Sequence, residues 1–149
     1  MKTLTEEQAK VQALVKHLEN QTADREPLED RITEAEALIA AGDYLVYTDE
    51  EADAAAEEDI LDSAWAFQYD FLRARSDAIA EIPKKAYEEM AGELCESFNK
   101  AVLAMIPDKK SFVSDAIAAD GRGHFLSRYD GEENEIKIED TWYFIYRCN

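Results

Sequence analysis

Residues 44–51 read Tyr-Leu-Val-Tyr-Thr-Asp-Glu-Glu, and this stretch decides the expected fold. Residues 44–47 are a short run of β-forming side chains, which is typical of a strand. Thr48 and Glu51 then stand three residues apart. This is the spacing of a capping box, in which each side chain accepts a hydrogen bond from the backbone N–H of the other residue. The stretch therefore predicts a strand followed at once by a long helix that runs towards Phe67.

The region before this stretch, residues 1–41, predicts an antiparallel pair of helices. Thr5 and Gln8 form another capping box, which starts the first helix. Pro27 suits the first turn of the second helix because its missing N–H has no intrahelical partner there, and Gly42 is placed to end that helix. Apolar residues recur on one face of each helix, so the two stripes are expected to bury against each other. They are Val11, Leu14, Val15 and Leu18 in the first helix, and Leu28, Ile32, Ala35 and Ile39 in the second.

The middle of the chain predicts further helices. A short helix, or a bent continuation of the preceding one, is expected over residues 69–80. Pro83 starts a helix that runs to about Met105. Asp108 caps a shorter helix that ends near Gly121.

The C-terminus changes from helix-forming to strand-forming residues. Residues 130–131, Asp-Gly, are a turn signal, residues 136–138 alternate, and residues 141–148 are dense in β-forming side chains. Two short strands are not stable alone, so we expect them to lie against the helices, with residues 44–47 as a third strand. The aromatic side chains expected on one face, as core, are Trp142, Phe144 and Tyr146.

The expected fold class is α+β, mostly helical, with about five helices and a small C-terminal antiparallel β-sheet. A chain of 149 residues is most simply a single domain over 1–149. Within it we distinguish the helical hairpin at 1–41 from the region at 44–149. The hydrophobic content of 46% argues against disorder.

Charge and composition exclude several classes of partner. The chain has 34 acidic and 16 basic residues and a formal net charge of -18. A surface this negative repels nucleic acid and anionic membranes, so neither is expected to bind directly. No apolar run approaches the roughly 20 residues of a membrane helix, and no apolar signal region begins the chain. With Cys95 and Cys148 expected as free thiols, these features favour a cytoplasmic location.

The segment between Gly42 and Asp62 contains nine acidic residues and no Lys or Arg. On a helix, residues at i and i+4 lie about 5–6 Å apart at Cβ, and phosphates along one DNA strand lie about 6–7 Å apart. A carboxylate row can therefore imitate a phosphate row for a protein surface rich in Lys and Arg. The residues expected to bind such a partner are Asp49, Glu50, Asp53, Glu57, Glu58 and Asp62. The alternative is a solvated face whose charge serves solubility only.

Residues 120–133 hold the other candidate site. His124 lies there among arginines, carboxylates and a hydroxyl, as an acid/base site would require. Metal sites built on His need two or more nitrogen or sulfur ligands, and only one is nearby, so no metal or other cofactor is expected. A structural role is favoured: a turn permitted by glycine, with Arg122 and Arg128 paired to carboxylates and Tyr129 packed on the sheet.

The remaining histidine and one cysteine are also expected to be structural. His17 lies at a helical position far from any cluster, which indicates an ordinary helix-surface residue. Cys95 lies in a predicted helix with no His partner, which favours a half-buried thiol over a nucleophile. Neither residue is expected to be catalytic.

Two stretches of the chain resemble segments of small accessory proteins encoded by phages and prophages. The first is YLVYTDEEAD at 44–53, followed by DSAWAF at 62–67. The second is ADGRGHFLSRYDGEENE at 119–135, closing on YFIYR at 143–147. The resemblance covers about residues 44–149 and implies a gene of a mobile element that acts in the bacterial cytoplasm. It implies no catalytic residue.

Three functions follow as hypotheses. The first is a non-enzymatic phage-type inhibitor that mimics DNA and blocks the basic, nucleic-acid-binding surface of a host defence protein, such as a CRISPR effector, a restriction enzyme or a nuclease. The second is a structural or regulatory module that binds through an apolar surface. The third is an enzyme centred on His124. Salt-sensitive binding would favour the first hypothesis over the second.

Overall fold

The computed structural model of the chain describes residues 3–21 and 26–149. The α-helices of the described residues are α1 Glu6–Gln21, α2 Leu28–Ala40, α3 Asp49–Asp62, α4 Tyr69–Arg73, α5 Asp77–Ala80, α6 Lys84–Leu94, α7 Asn99–Met105, α8 Lys109–Asp120 and α9 Arg122–Leu126. The strands are β1 Tyr44–Tyr47, β2 Asn134–Ile138 and β3 Thr141–Arg147. The mostly helical α+β class with a small antiparallel sheet is thus confirmed.

The chain divides into two compact units. The first unit comprises Met1–Ala56 together with Arg122–Asn149, and the second comprises Glu57–Gly121. The boundary falls within α3, which is a single continuous helix. The single domain expected over 1–149 stays a prediction. None of the helices in the described part of the chain combines the length and the apolar composition that crossing a bilayer requires.

The sheet of the first unit has the strand order β1-β3-β2 and is antiparallel throughout. Tyr44 pairs with Arg147 at one end of β1, which confirms residues 44–47 as the third strand. Ile138 pairs with Thr141, so the β2–β3 hairpin turns through the two residues between them.

The core of the first unit lies between the α1–α2 hairpin and one face of the sheet. Leu14 of α1 and Ala35 of α2 are fully buried, and they share a cluster with Tyr143 and Ile145 of β3. The expected apolar stripes therefore do pack inward. One member is an exception, because Leu28 in the first turn of α2 is 55% exposed.

His17 also belongs to this core, so its expected surface position was wrong. The residue is buried, its ring makes an edge contact with Tyr44, and its Nε2 lies 3.2 Å from the side-chain nitrogen of Gln21. His17 follows Ala13 by four residues and Leu14 by three. That spacing places it on the buried face of α1, and it is the signal that the sequence interpretation missed.

The second unit packs around a line of aromatic rings. Tyr87 of α6 contacts Tyr69 and Phe98, with ring centroids 5.6 and 5.4 Å away. Its hydroxyl is buried and has no hydrogen-bond partner among the described residues. Burial raises the pKa of Tyr87 to about 12, because the charged phenolate loses hydration there.

Two predicted helices end earlier than expected. The helix predicted from Pro83 to Met105 breaks after Leu94, and Cys95, with φ 50°, starts a 3₁₀ turn that precedes α7. Cys95 is consequently exposed and not half-buried.

The helix expected to run towards Phe67 likewise ends at Asp62. The Ser63 hydroxyl donates to the carbonyl of Asp59 at 2.6 Å. The Asn99 side chain donates to the carbonyl of Leu61 at 2.8 Å and accepts from the N–H of Trp65 at 3.1 Å. Side chains thus satisfy the backbone groups that the early ending leaves free.

Candidate functional site

The first turn of α3 is closed by the expected capping box. Thr48 N–H donates to the Glu51 carboxylate at 3.0 Å, and Glu51 N–H donates to the Thr48 hydroxyl at 3.3 Å. The sequence did not indicate that Lys10 of α1 would also bind Glu51, at 2.9 Å. Partial burial alone would raise the pKa of Glu51, but the hydrogen bonds from Thr48 and Lys10 outweigh it and lower the pKa. The contacts of Glu51 with Thr48 and Lys10 therefore all lie within the first unit.

Arg122 binds two of the six predicted partner-binding residues. Its Nη1 donates to the carboxylates of Asp49 at 2.8 Å and Asp53 at 3.1 Å. Its Nε donates to Glu133 at 2.8 Å. The guanidinium also lies over the Phe144 ring, 4.6 Å from the centroid. The expected pairing of Arg122 with carboxylates is confirmed, whereas Arg128 is exposed and forms no ion pair with a described residue.

The Arg122 side chain is largely shielded from solvent, whereas two of its carboxylate partners are not. The arginine side chain is only 11% exposed, although the Asp49 and Asp53 side chains are 69% and 63% exposed. Burial alone would lower the pKa of Arg122, but its hydrogen bonds to Glu133 and Asp49 raise the pKa above its ordinary value. Arg122 therefore stays charged and offsets part of the negative charge in the first turn of α3.

The glycines around Arg122 explain how it reaches this position. Gly121 ends α8 with φ 82°, a conformation that side chains rarely adopt. A Cβ at Gly123 would lie 2.5 Å from the Gly131 carbonyl oxygen and 2.8 Å from the backbone of Glu133. Only glycine at position 123 therefore allows α9 to approach the backbone of residues 131–133 closely enough for Arg122 to bind Glu133.

Glu133 has a second buried partner. The Tyr146 hydroxyl donates to the same carboxylate oxygen that accepts from Arg122. Tyr146 is fully buried, and burial, followed by the bond to Glu133, raises its pKa above the ordinary value. The carboxylate thus links α9 to β3 and gives Arg122 and Glu133 a structural role.

His124 has no catalytic partner among the described residues. Its side chain is exposed, and its ring makes an edge contact with Phe125 at 4.9 Å. The Ser127 hydroxyl lies 2.7 Å from both the Asp130 carboxylate and the Arg147 carbonyl, so it is used within the fold. Within residues 3–21 and 26–149, no three His, Cys, Asp or Glu residues are grouped to hold a metal ion. The hypothesis of an enzyme centred on His124 stays a prediction.

The other predicted partner-binding residues are exposed and pair with no described Lys or Arg. They are Glu50, Glu57, Glu58 and Asp62. Successive residues of an α-helix are turned by about 100°. Glu50 and Glu57 consequently share one side of α3 with Asp53, whereas Glu58 and Asp62 lie on another. The six residues form two rows and not one.

Glu57, Glu58 and Asp62 lie in the C-terminal half of α3, within the second unit. The partial negative charge of a helix C-terminus disfavours acidic side chains there. α3 has no basic residue in its last turn. These three residues, which include members of both rows, are called the α3 acidic patch. They lack both a described basic partner and the favourable dipole of the first turn, so they are the least compensated charges of the predicted set.

Comparisons of the chain with protein-family models, with curated proteins and with solved structures find no match.

Proposed function

We propose that the protein is a non-enzymatic binding protein whose α3 acidic patch occupies a basic, nucleic-acid-binding surface of a host defence protein. The patch consists of Glu57, Glu58 and Asp62. The proposal includes the phage context that the resemblance over residues 44–149 implies. The partner is a protein lined with Lys and Arg, such as a nuclease, a restriction enzyme or a CRISPR effector.

The observation that carries the proposal is the uncompensated charge of the patch. An acidic side chain in the last turn of a helix, where Asp62 lies, costs about 0.3–1 kcal/mol at low ionic strength. Like charges at i and i+4, such as Glu58 and Asp62, add a further few tenths of a kcal/mol. Acidic residues at positions where they do not destabilise the helix would increase solubility equally well. Binding to a basic partner would offset this cost and gives the placement a reason.

The proposed binding residues differ from those predicted from the sequence. Asp49 and Asp53 already neutralise Arg122, so a partner would have to compete with an internal guanidinium for them. Glu58 and Asp62 are free of such pairs among the described residues, and one helical turn separates them by about 6 Å along the axis. That spacing remains close to the separation of phosphates along a DNA strand.

A matched pair of charge-reversal variants tests the proposal. The patch variant replaces Glu57, Glu58 and Asp62 with Lys. The control replaces Glu88, Glu89 and Glu93 of α6 with Lys. These residues are exposed and have the same spacing, and the net charge changes equally. Lys84 and Lys85 lie four residues before Glu88 and Glu89, so the control acids, unlike the patch, have cations on their own helix.

Wild type and both variants would be immobilised and exposed to bacterial lysate, and bound proteins would be identified by mass spectrometry. Wild type and control are expected to retain a nucleic-acid-binding protein that high salt and added duplex DNA both release. The patch variant is expected to lose it, while its melting temperature rises because unfavourable charges are removed. Retention by the patch variant would refute the mimicry. Binding that is insensitive to salt would favour the module with an apolar surface.

A further inference from the structure

The face of the sheet away from the α1–α2 hairpin carries an exposed tryptophan in the first unit. Trp142, Phe144 and Tyr146 alternate along β3 and share this face. Phe144 and Tyr146 are buried, whereas Trp142 is 48% exposed. The expected core position of Trp142 was therefore wrong, because about half of its side chain stays in contact with solvent.

A cleft of about 770 Å³ opens beside Trp142 and the first turn of α3. The acidic residues that line it are Glu6, Asp49, Glu50, Glu51, Glu135 and Asp140. Lys10 pairs with Glu6 and Glu51, and Arg122 pairs with Asp49. The other three carboxylates form no ion pair with a described residue. No Lys or Arg is among the described residues that line the cleft.

The same face of the sheet already holds one guanidinium. At Phe144, Arg122 lies over the aromatic ring while carboxylates accept its N–H groups. The cleft repeats these components, an aromatic ring and carboxylates, without an internal arginine. Lys137 lies 5.9 Å from the centroid of the Trp142 ring, at the outer limit for a cation–π contact. The ring therefore already attracts a cation of the protein itself.

We propose that this cleft binds an arginine side chain of the partner protein, with the guanidinium against Trp142 and hydrogen bonds to Glu50, Glu135 and Asp140. The proposal rests on the proposed function only in that the partner is basic, since the α3 acidic patch lies outside the cleft. Arginine fits better than lysine because its planar guanidinium stacks on aromatic rings and donates to two carboxylates at once. A bound metal is the competing occupant, but no described acidic residues are grouped to hold one.

The test is an NMR titration of the full-length protein with three acetylated and amidated pentapeptides. Each has a central arginine, lysine or citrulline between glycines, and citrulline keeps the shape of arginine without its charge. The indole N–H signal of Trp142 reports on the cleft, and that of Trp65, in the second unit, serves as the internal control. We expect the arginine peptide to shift the Trp142 signal saturably, the lysine peptide to bind more weakly, and the citrulline peptide to have no effect.

Variants separate the parts of the cleft. Trp142→Ala, followed through the backbone N–H of Thr141, is expected to weaken binding of the arginine peptide about fivefold, the size of a partly exposed cation–π contact. Neutralising Glu135 and Asp140 as Gln and Asn is expected to weaken it further. Lys137→Gln is expected to strengthen it, because a competing cation is removed. Equal shifts with arginine and citrulline, or no shift at all, would overturn the proposal.

Failure of this proposal and failure of the proposed function give different results. The Glu57, Glu58 and Asp62 charge-reversal variant should bind the arginine peptide as wild type does, since none of the three residues lines the cleft. If the lysate partner is lost in that variant but retained with full affinity in Trp142→Ala, the proposed function stands and the cleft proposal fails. If the arginine peptide binds but no basic partner is captured, the cleft is an arginine site and the proposed function fails.

Discussion

Replacement of Arg122 by alanine is predicted to destabilise the first unit strongly. The side chain is 11% exposed and binds Asp49, Asp53 and Glu133 while its guanidinium covers Phe144. Alanine removes these contacts together. It also leaves Glu133, whose side chain is 32% exposed, with the Tyr146 hydroxyl but without a cation.

The magnitude follows from the exposure of each contact. The ion pairs to Asp49 and Asp53 are mostly solvated on the acidic side, so each contributes about 0.5 kcal/mol. The charged hydrogen bond to Glu133 is more desolvated and contributes about 1.5–3 kcal/mol. The guanidinium over Phe144 contributes about 1 kcal/mol. Arg122→Ala is therefore expected to lower the free energy of unfolding by about 3.5–5 kcal/mol, close to the usual cost of breaking a buried ion pair.

Urea denaturation followed by circular dichroism measures this loss. Arg128→Ala is the matched control, because Arg128 lies six residues later, is exposed and forms no ion pair with a described residue. It is expected to change the free energy of unfolding by less than about 0.5 kcal/mol. Arg122→Lys retains the charge but not the forked donors, and it should recover only part of the loss.

An Arg122→Ala loss below about 1 kcal/mol, or one equal to that of Arg128→Ala, would refute the reasoning. In that case the carboxylates around Arg122 would have to be as well solvated as ordinary surface groups. Asp49 and Asp53 would then be available to a partner, and the revision of the predicted binding residues would be withdrawn.

Three further substitutions probe buried groups. Gly123→Ala should lower the melting temperature by about 2–4 °C per kcal/mol of overpacking, because its Cβ would lie 2.5 Å from the Gly131 carbonyl oxygen. An unchanged melting temperature would contradict the close approach. Tyr87→Phe should raise stability by removing an unpartnered buried hydroxyl. Burial raises the pKa of Tyr87 to about 12, so this tyrosine ionises at lower pH in the unfolded chain than in the folded one. The free energy of unfolding of wild type should therefore fall as the pH rises from 10 to 12. Urea titrations over this range should show the stability difference between Tyr87→Phe and wild type growing. Burial lowers the pKa of His17, so wild type should lose stability as the pH falls below 6.5, and His17→Leu should show a smaller loss between pH 7 and 5.

Local signals in the sequence predicted the elements that depend on neighbouring residues. The capping boxes at Thr5 and Thr48 are both formed, since each needs only side chains three residues apart. The β-forming run at 44–47 forms the third strand, and its backbone pairs with the edge of β3 that β2 leaves open. The break after Leu94 was missed because apolar residues continue at helical spacing on both sides of it, and periodicity alone does not mark an interruption.

The candidate site depended on contacts that no local pattern contains. Arg122 and Asp49 are 73 positions apart, so the sequence predicted that Arg122 would bind carboxylates but not which ones. Strand alternation placed Trp142 on the same face as Phe144, but it did not show that the Trp142 side chain would stay half exposed. His17 is the opposite case, since helical spacing does place it on the buried side of α1, and the interpretation overlooked it.

The cations of the first unit and the dipole of α3 act at the same end of that helix. Acidic residues in a first helical turn are already favoured by the helix dipole, yet Lys10 and Arg122 bind acids of the first two turns as well. Glu57, Glu58 and Asp62, in the C-terminal half of α3, receive neither form of compensation from the described residues. Selection for solubility alone would not distinguish the two ends, because solvated carboxylates contribute equally to net charge wherever they lie. This asymmetry agrees with the docking surface that we propose, because internal ion pairs hold the first two turns while Glu57, Glu58 and Asp62 form no ion pair with a described residue.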